Sequence, residues 1–266
     1  MPGMIVGIGI LGWLLGVAVN LLSDSLPATR RFHAPTCTHC RAPRPVAGWS
    51  ALTAVLSGTW TCGYCGSARS LRGPVVELAG AAGTLLLFVR DPRASVLLPA
   101  LLVGFTFLLI TVIDLEHRLI LHVVVLPAAI ILGTIGILDP ARGALKTLGG
   151  GLAGAGSFYL LFLLGEAFAR AIARARHKPL DEVAFGFGDV TLAGLIGLIV
   201  GWPAVVPALL LGILTAGVFS LGHVLVMLLR HRYSAFTPIA YGPFLILGAS
   251  LVYFGGKELI QSILLQ

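Results

Sequence analysis

Apolar runs of membrane-spanning length recur from one end of this chain to the other, and that feature leaves it one solvent. They cover residues 4–22, 74–89, 95–113, 119–138, 145–168, 189–202, 203–229 and 241–265. A helix rises about 1.5 Å per residue, so about 20 residues cross a hydrocarbon core of about 30 Å. Of the 266 residues, 57% are hydrophobic and only 11% charged, where soluble domains carry about a quarter charged. The expectation is an all-α, polytopic membrane protein with about eight transmembrane helices. Residues 1–23 form the first helix, 24–73 a cytoplasmic loop and 74–266 the remaining transmembrane domain. The first run lacks a basic n-region and continues as a span, so no cleavable signal is expected.

A formal charge of +7 suits a phosphate-bearing partner in a soluble protein, but here its distribution gives a plainer cause. Links after the first, third, fifth and seventh runs hold Arg30, Arg31, Arg41, Arg44, Arg69, Arg72, Arg118, Arg170, Arg174, Arg176, Lys178, Arg230 and Arg232. The other side has Arg90, Arg93, Arg142, Lys146 and Lys257. Lys and Arg concentrate in cytoplasmic loops, which puts the first set inside and both termini outside. Membrane lipids are the expected surroundings, and nucleic acid is not an expected partner.

All four cysteines fall in the loop, as Cys37-Thr-His-Cys40 and Cys62-Gly-Tyr-Cys65 with 21 residues between the pairs. Two such knuckles supply the four thiolates of a tetrahedral zinc site at about 2.3 Å per bond. With every position filled by sulfur there is no place for a substrate water, so the expected zinc is structural. The competing reading is disulfides, which a loop on the reducing side disfavours. His39 reads as a loop residue between the first pair.

Two aspartates stand at the mouths of spans: Asp114 closes LLITVID, and Asp189 follows Gly186-Phe187-Gly188 and opens an apolar run. Ionisable groups at such places are expensive and commonly functional. The orientation puts both at the cytoplasmic edge, where a pair could share a proton and activate a water. The glycines let backbone approach an extended peptide closely. Asp189 could instead act only as an N-cap, and Asp114 as a solvated interfacial group. Glu77, Glu116, Glu166 and Glu182 are explained as well by capping, snorkelling or pairing with arginines as by catalysis. His117 reads as a solvated loop histidine.

In order and spacing these features resemble the type IV prepilin peptidases, also called type 4 prepilin-like leader peptidases and N-methyltransferases. Asn20 and Leu26-Pro27 look like the family's N-terminal signature, followed by the cysteine loop and RGPVVEL at 72–78. Asp114 in IDLEH and Asp189 in GxGD match the family's two catalytic aspartates, with Glu182 upstream. AYGPFLILGA at 240–249 is similar to its FGPFL block. The resemblance implies a GxGD-type membrane aspartyl endopeptidase that cleaves the leaders of prepilins or pseudopilins at the cytoplasmic face. It also implies methylation of the new N-terminus from S-adenosylmethionine, whose binding residues the sequence does not mark. No soluble Rossmann-type fingerprint supports that cofactor independently. There are three departures from the pattern: Leu121-His122 replaces Pro-Asp, Thr191 a lysine, and Ser25 an arginine.

Two other classes fit parts of the chain. A proton-coupled transporter could relay protons through Asp114 and Asp189, but it calls for midplane carboxylates and an inverted repeat. A non-catalytic pilus or secretion assembly protein could use the zinc loop to recruit a partner, and it would tolerate loss of either aspartate.

Overall fold

The computed structural model describes residues 2–176, 186–230 and 240–264; at residue 2, 172–176 and 256–264 it describes the helical backbone alone. Among the described residues the chain is helical: α1 (Pro2–Thr29), α2 (Ala51–Leu56), α3 (Arg72–Arg90), α4 (Ala94–His117), α5 (His122–Leu138), α6 (Gly143–Arg176), α7 (Phe187–Val200), α8 (Val205–Leu229) and α9 (Gly242–Leu264). There is also one 3₁₀ turn, Val46–Gly48. Apart from short α2, these correspond to the eight expected spans. Five of them (α1, α3, α4, α6 and α8) are long and apolar enough to cross a membrane, while α5, α7 and the described part of α9 are shorter apolar helices.

Boundaries differ from the sequence reading at two informative places. α1 continues past residue 22 to Thr29 with Pro27 inside it. α4 continues past Asp114 to His117, so the carboxylate sits one turn inside the helix rather than at its end. Leu115 and Glu116 after Asp114 have good helix propensity, and the helix stops only at Arg118, where φ is +54°.

The chain divides into two compact units, Met1–Ile113 and Asp114–Gln266. In the first, α1 and α3 meet backbone to backbone. A Cβ added at Gly12 would lie 2.6 Å from the Gly80 carbonyl, and one added at Gly80 would lie 2.6 Å from the Gly12 carbonyl. Small residues four apart, here Gly12 and Gly16, allow that approach. Glycines also stand at GxGxxG spacing at Gly7, Gly9 and Gly12, and again at Gly149, Gly151 and Gly154. They lie inside α1 and α6 with no strand before them, so they are not nucleotide loops, and Gly12, Gly151 and Gly154 serve close helix contact instead.

Buried within this unit is the Glu77 carboxylate, 0% exposed. It accepts from Trp13 Nε1 at 3.0 Å, Asn20 Nδ2 at 3.3 Å, Ser50 Oγ at 2.6 Å, and the backbone N–H groups of Ala51 at 2.6 Å and Leu52 at 3.1 Å. The last two are orphan donors at the start of α2, whose N-cap is Ser50. One carboxylate thus ties α1 and α3 to the middle of the cysteine loop. Of the readings weighed for Glu77, capping is the one that fits.

In the second unit, α6 and α7 form the closest pair, with Gly150 against Gly197 and Gly154 against the Ala193 carbonyl. α7 is buried along most of its length, including Leu192, Leu195, Ile196 and Ile199. A 14-residue helix enclosed in this way has little freedom to slide or roll, which fixes what stands at its ends.

Candidate active site and metal centre

Asp114 and Asp189 fall in the same unit, one from α4 and the other from the first turn of α7. Asp114 is 4% exposed, and its Oδ2 accepts the backbone N–H of Gly242 at 3.0 Å. Gly242 begins α9, so its N–H is one of the four that the helix cannot satisfy itself. A negative charge is favoured at that terminus, and α9 is thereby pinned to the carboxylate. There is no room for a side chain: a Cβ at position 242 would lie 2.6 Å from the same oxygen.

Asp189 occupies the third helical position of α7, behind the N-cap Gly186. Its backbone N–H donates to the Gly186 carbonyl at 3.0 Å, and its carboxylate lies close by, with Oδ2 3.5 Å from where a Cβ of residue 186 would stand. An acid at this position is placed as in the reach-back half of a capping box. That placement orients the carboxylate toward the chain entering the helix. Asp189 therefore stands at N3 and not at the N-cap, and it remains within electrostatic range of Asp114.

The two glycines of the motif differ in use. A Cβ at Gly188 would press on Ile120 at 2.9 Å, whereas Gly186 has only ordinary contacts. Between them Phe187, 50% exposed, stacks on His122 and meets Phe162 edge-on, both with centroids 6.1 Å apart. Tyr241, next to Gly242, has its ring 6.4 Å from that of Phe158, and its phenol lies within range of the Asp189 charge.

In the loop the four sulfurs all lie within 4.8 Å of one another. Cys37 and Cys65 are 3.7 Å apart and Cys40 and Cys62 3.6 Å, and all four are free thiols. Tetrahedral ligands at 2.3 Å stand about 3.8 Å from each other, so the cluster has the dimensions of a zinc site. Both knuckles use one turn. Cys37 N–H donates to Ala42 and Arg41 N–H to Cys37; Cys62 N–H donates to Ser67 and Gly66 N–H to Cys62.

Backbone hydrogen bonds from Cys40 and His39 draw the Cys37 thiol down to about 6. Cys40 receives a lowering backbone hydrogen bond from Ala42, yet desolvation and the sulfurs of Cys65, Cys62 and Cys37 push it up to about 12. Thiols this crowded cannot all ionise unless a cation shares their charge.

A sequence profile described as the type IV leader peptidase family matches residues 100–221. The chain is 29% identical to a prepilin leader peptidase/N-methyltransferase of Aeromonas salmonicida strain A449, over 85% of this chain and 72% of that one. A protein of the same name in Dickeya chrysanthemi is 30% identical, over 81% of this chain and 71% of its own. The chain belongs to the type IV leader peptidase family. A third relative with that name, from Bacillus subtilis strain 168, is 24% identical over 95% of this chain and 94% of its own. No solved structure matches.

This leader peptidase is a multi-pass membrane protein whose fold brings Asp114 to Asp189 and gathers Cys37, Cys40, Cys62 and Cys65. Two other acids weighed from the sequence have their own surroundings among the described residues. Glu166 pairs with Arg170 one turn on, Glu116 and His117 lie together at the exposed end of α4, and Glu182 and Lys178 are outside the described residues. At two of the positions singled out in the sequence the side chain is uncharged and bonded locally. Thr191 Oγ1 donates to the Gly188 carbonyl at 2.8 Å, and Ser25 bonds within α1 to Leu21 at 2.8 Å.

Sequence reasoning missed Gly242 and Tyr241 as site residues. The YGPF block held the signal, since a glycine beside a helix-starting proline marks a place where another group comes close.

Proposed function

We propose that this leader peptidase cleaves the leader of a prepilin or pseudopilin with Asp114 and Asp189 as its catalytic pair. One observation carries this reading: a carboxylate 4% exposed, held by a single backbone N–H among the described residues, within electrostatic range of a second carboxylate at a glycine-flanked helix start. Two acids so placed do not both ionise readily, and the shared proton divides their roles. The ionised partner takes a proton from water; the protonated one donates to the scissile carbonyl as the water adds. Collapse of the tetrahedral intermediate returns that proton to the leaving amine. The pair sits at the cytoplasmic face of a bacterial inner membrane with both termini outside, as the distribution of Lys and Arg supports.

Residues 24–73 form a zinc module in which Cys37, Cys40, Cys62 and Cys65 hold the ion and brace the loop. The relatives' shared name extends the activity to N-methylation of the new N-terminus. A methyl donor such as S-adenosylmethionine would supply an electrophilic methyl group there. The described residues contain no strand-bounded glycine loop to cradle it.

The test is mass spectrometry of a coexpressed prepilin with the native enzyme and with Asp189→Asn. Loss of the leader plus one methyl group, both absent with the variant, is the expected result. Cleavage by the variant would remove the aspartate mechanism, and cleavage without the methyl group would leave a peptidase alone.

A further inference from the structure

Arg142 lies in the turn between α5 and α6, at the opposite end of α7 from Asp189. Its Nη1 donates to the carbonyl of Ile199 in the last turn of α7, where four carbonyls have no partner within the helix. The side chain is 18% exposed, and its Nε is 3.9 Å from the Asp139 carboxylate. It is confined from two sides: a Cβ at Gly136 of α5 would lie 3.0 Å from Nη2, and one at Gly201 would lie 3.0 Å from Cδ. Beside it, Trp202 N–H donates to the Lys146 carbonyl of α6 at 2.8 Å. The Tyr253 phenol of α9 is within range of both the Arg142 and Asp139 charges.

From Ile199 back to Asp189 is ten residues, about 15 Å of helix. Between them α7 is pressed against α6 through Gly197 on Gly150 and Ala193 on Gly154. A helix packed that tightly transmits an axial shift at one end to the other as a rigid rod.

We infer that Arg142 is a positioning residue that sets the axial height of α7 and thereby the separation of Asp189 from Asp114. The inference rests on the aspartate pair being the catalytic one. The guanidinium touches neither carboxylate; it holds the far end of the helix that carries one of them. A misplacement of about 1 Å far from the chemistry can cost about a hundredfold in rate.

The experiment compares wild type, Arg142→Met, Arg142→Lys and Gly136→Ala in leader cleavage across pH, with each rate normalised to folded enzyme. A coupled acid pair gives a bell-shaped profile whose limbs are spread by mutual repulsion. Arg142→Met is expected to lower kcat by about ten- to a hundredfold, leave KM within about twofold, and draw the limbs together because a looser pair repels less. Arg142→Lys, whose ammonium can reach the same carbonyl, should restore most of both. Gly136→Ala, whose methyl would press on the Arg142 guanidinium and on Thr147 of α6 together, should narrow the profile in the same sense and serves if Arg142→Met does not fold.

A merely structural role would lower the yield of folded enzyme and leave the limbs where they are; that result, in the variants that fold, overturns the inference. Asp189→Asn run alongside separates the two levels. If it cleaves normally, the catalytic pair is wrong and the inference goes with it. If it is inactive while the Arg142 and Gly136 profiles match wild type, the inference alone fails.

Discussion

Two buried carboxylate environments in this molecule have opposite character. Glu77 is fully enclosed and receives five hydrogen bonds from α1, Ser50 and the start of α2. Asp114 is nearly as enclosed, yet among the described residues it receives one, from Gly242, and it faces a second carboxylate. Burial is common to both, so burial does not separate an anchor from a catalyst. The number of donors does. A saturated carboxylate has nothing left to offer a substrate, whereas one with free lone pairs and a like-charged neighbour can exchange a proton.

That contrast is broken most severely at the aspartates. Asp114→Asn and Asp189→Asn should each reduce leader cleavage to background while leaving the thermal midpoint close to wild type. Asparagine at 114 can still accept from Gly242, so little stability is lost; assays on purified protein would check both readouts. A large fall in midpoint with retained cleavage would invert the assignment.

Glu77→Gln should do the reverse. It presents an amide NH₂ to donors, leaving at least one buried donor unmet at a cost of about 2–3 kcal/mol, measured as a lower unfolding midpoint, while cleavage per folded molecule stays near wild type.

Gly242→Ala lies between the two, because its methyl would meet Asp114 Oδ2. Cleavage should fall by about ten- to a hundredfold, with about 1–2 kcal/mol of destabilisation from overpacking, read from kinetics and melting of one preparation. Chelation of zinc, followed by metal analysis, should lower the midpoint of the loop-bearing unit and be reversed by added zinc.

The smallest effect is expected within the zinc module itself. Its two knuckles place Arg41 at φ +58° and Gly66 at φ +69° in equivalent turns. Left-handed backbone costs a side-chain-bearing residue about 1 kcal/mol or more. Arg41→Gly should therefore stabilise by about 0.5 kcal/mol and Gly66→Ala destabilise by about 1 kcal/mol, seen as opposite shifts in zinc retention against a competing chelator.

The spans were readable because hydrophobicity is additive along a window, and Asp114 and Asp189 stood out because each lies where an apolar run starts or stops. The cysteines were readable from spacing alone. Gly242 was not, since its partner lies 128 residues away and glycine announces room without saying for whom. Glu77 was ambiguous because its donors come from α1, Ser50 and the start of α2, whose meeting no local pattern encodes. Arg142 looked like an ordinary loop cation, and only the packed α7 gives its contact to Ile199 a consequence. The overrun of α4 beyond Asp114 was missed for a simpler reason: polarity ends a membrane window but does not end a helix.

The bond between Gly242 and Asp114 also has a meaning in time. Because Gly242 follows Asp114 by 128 residues, Asp114 reaches the membrane long before the backbone group that holds it has been synthesised. A ribosome-bound chain stalled before residue 242 would carry both aspartates without the hydrogen bond that holds the first of them.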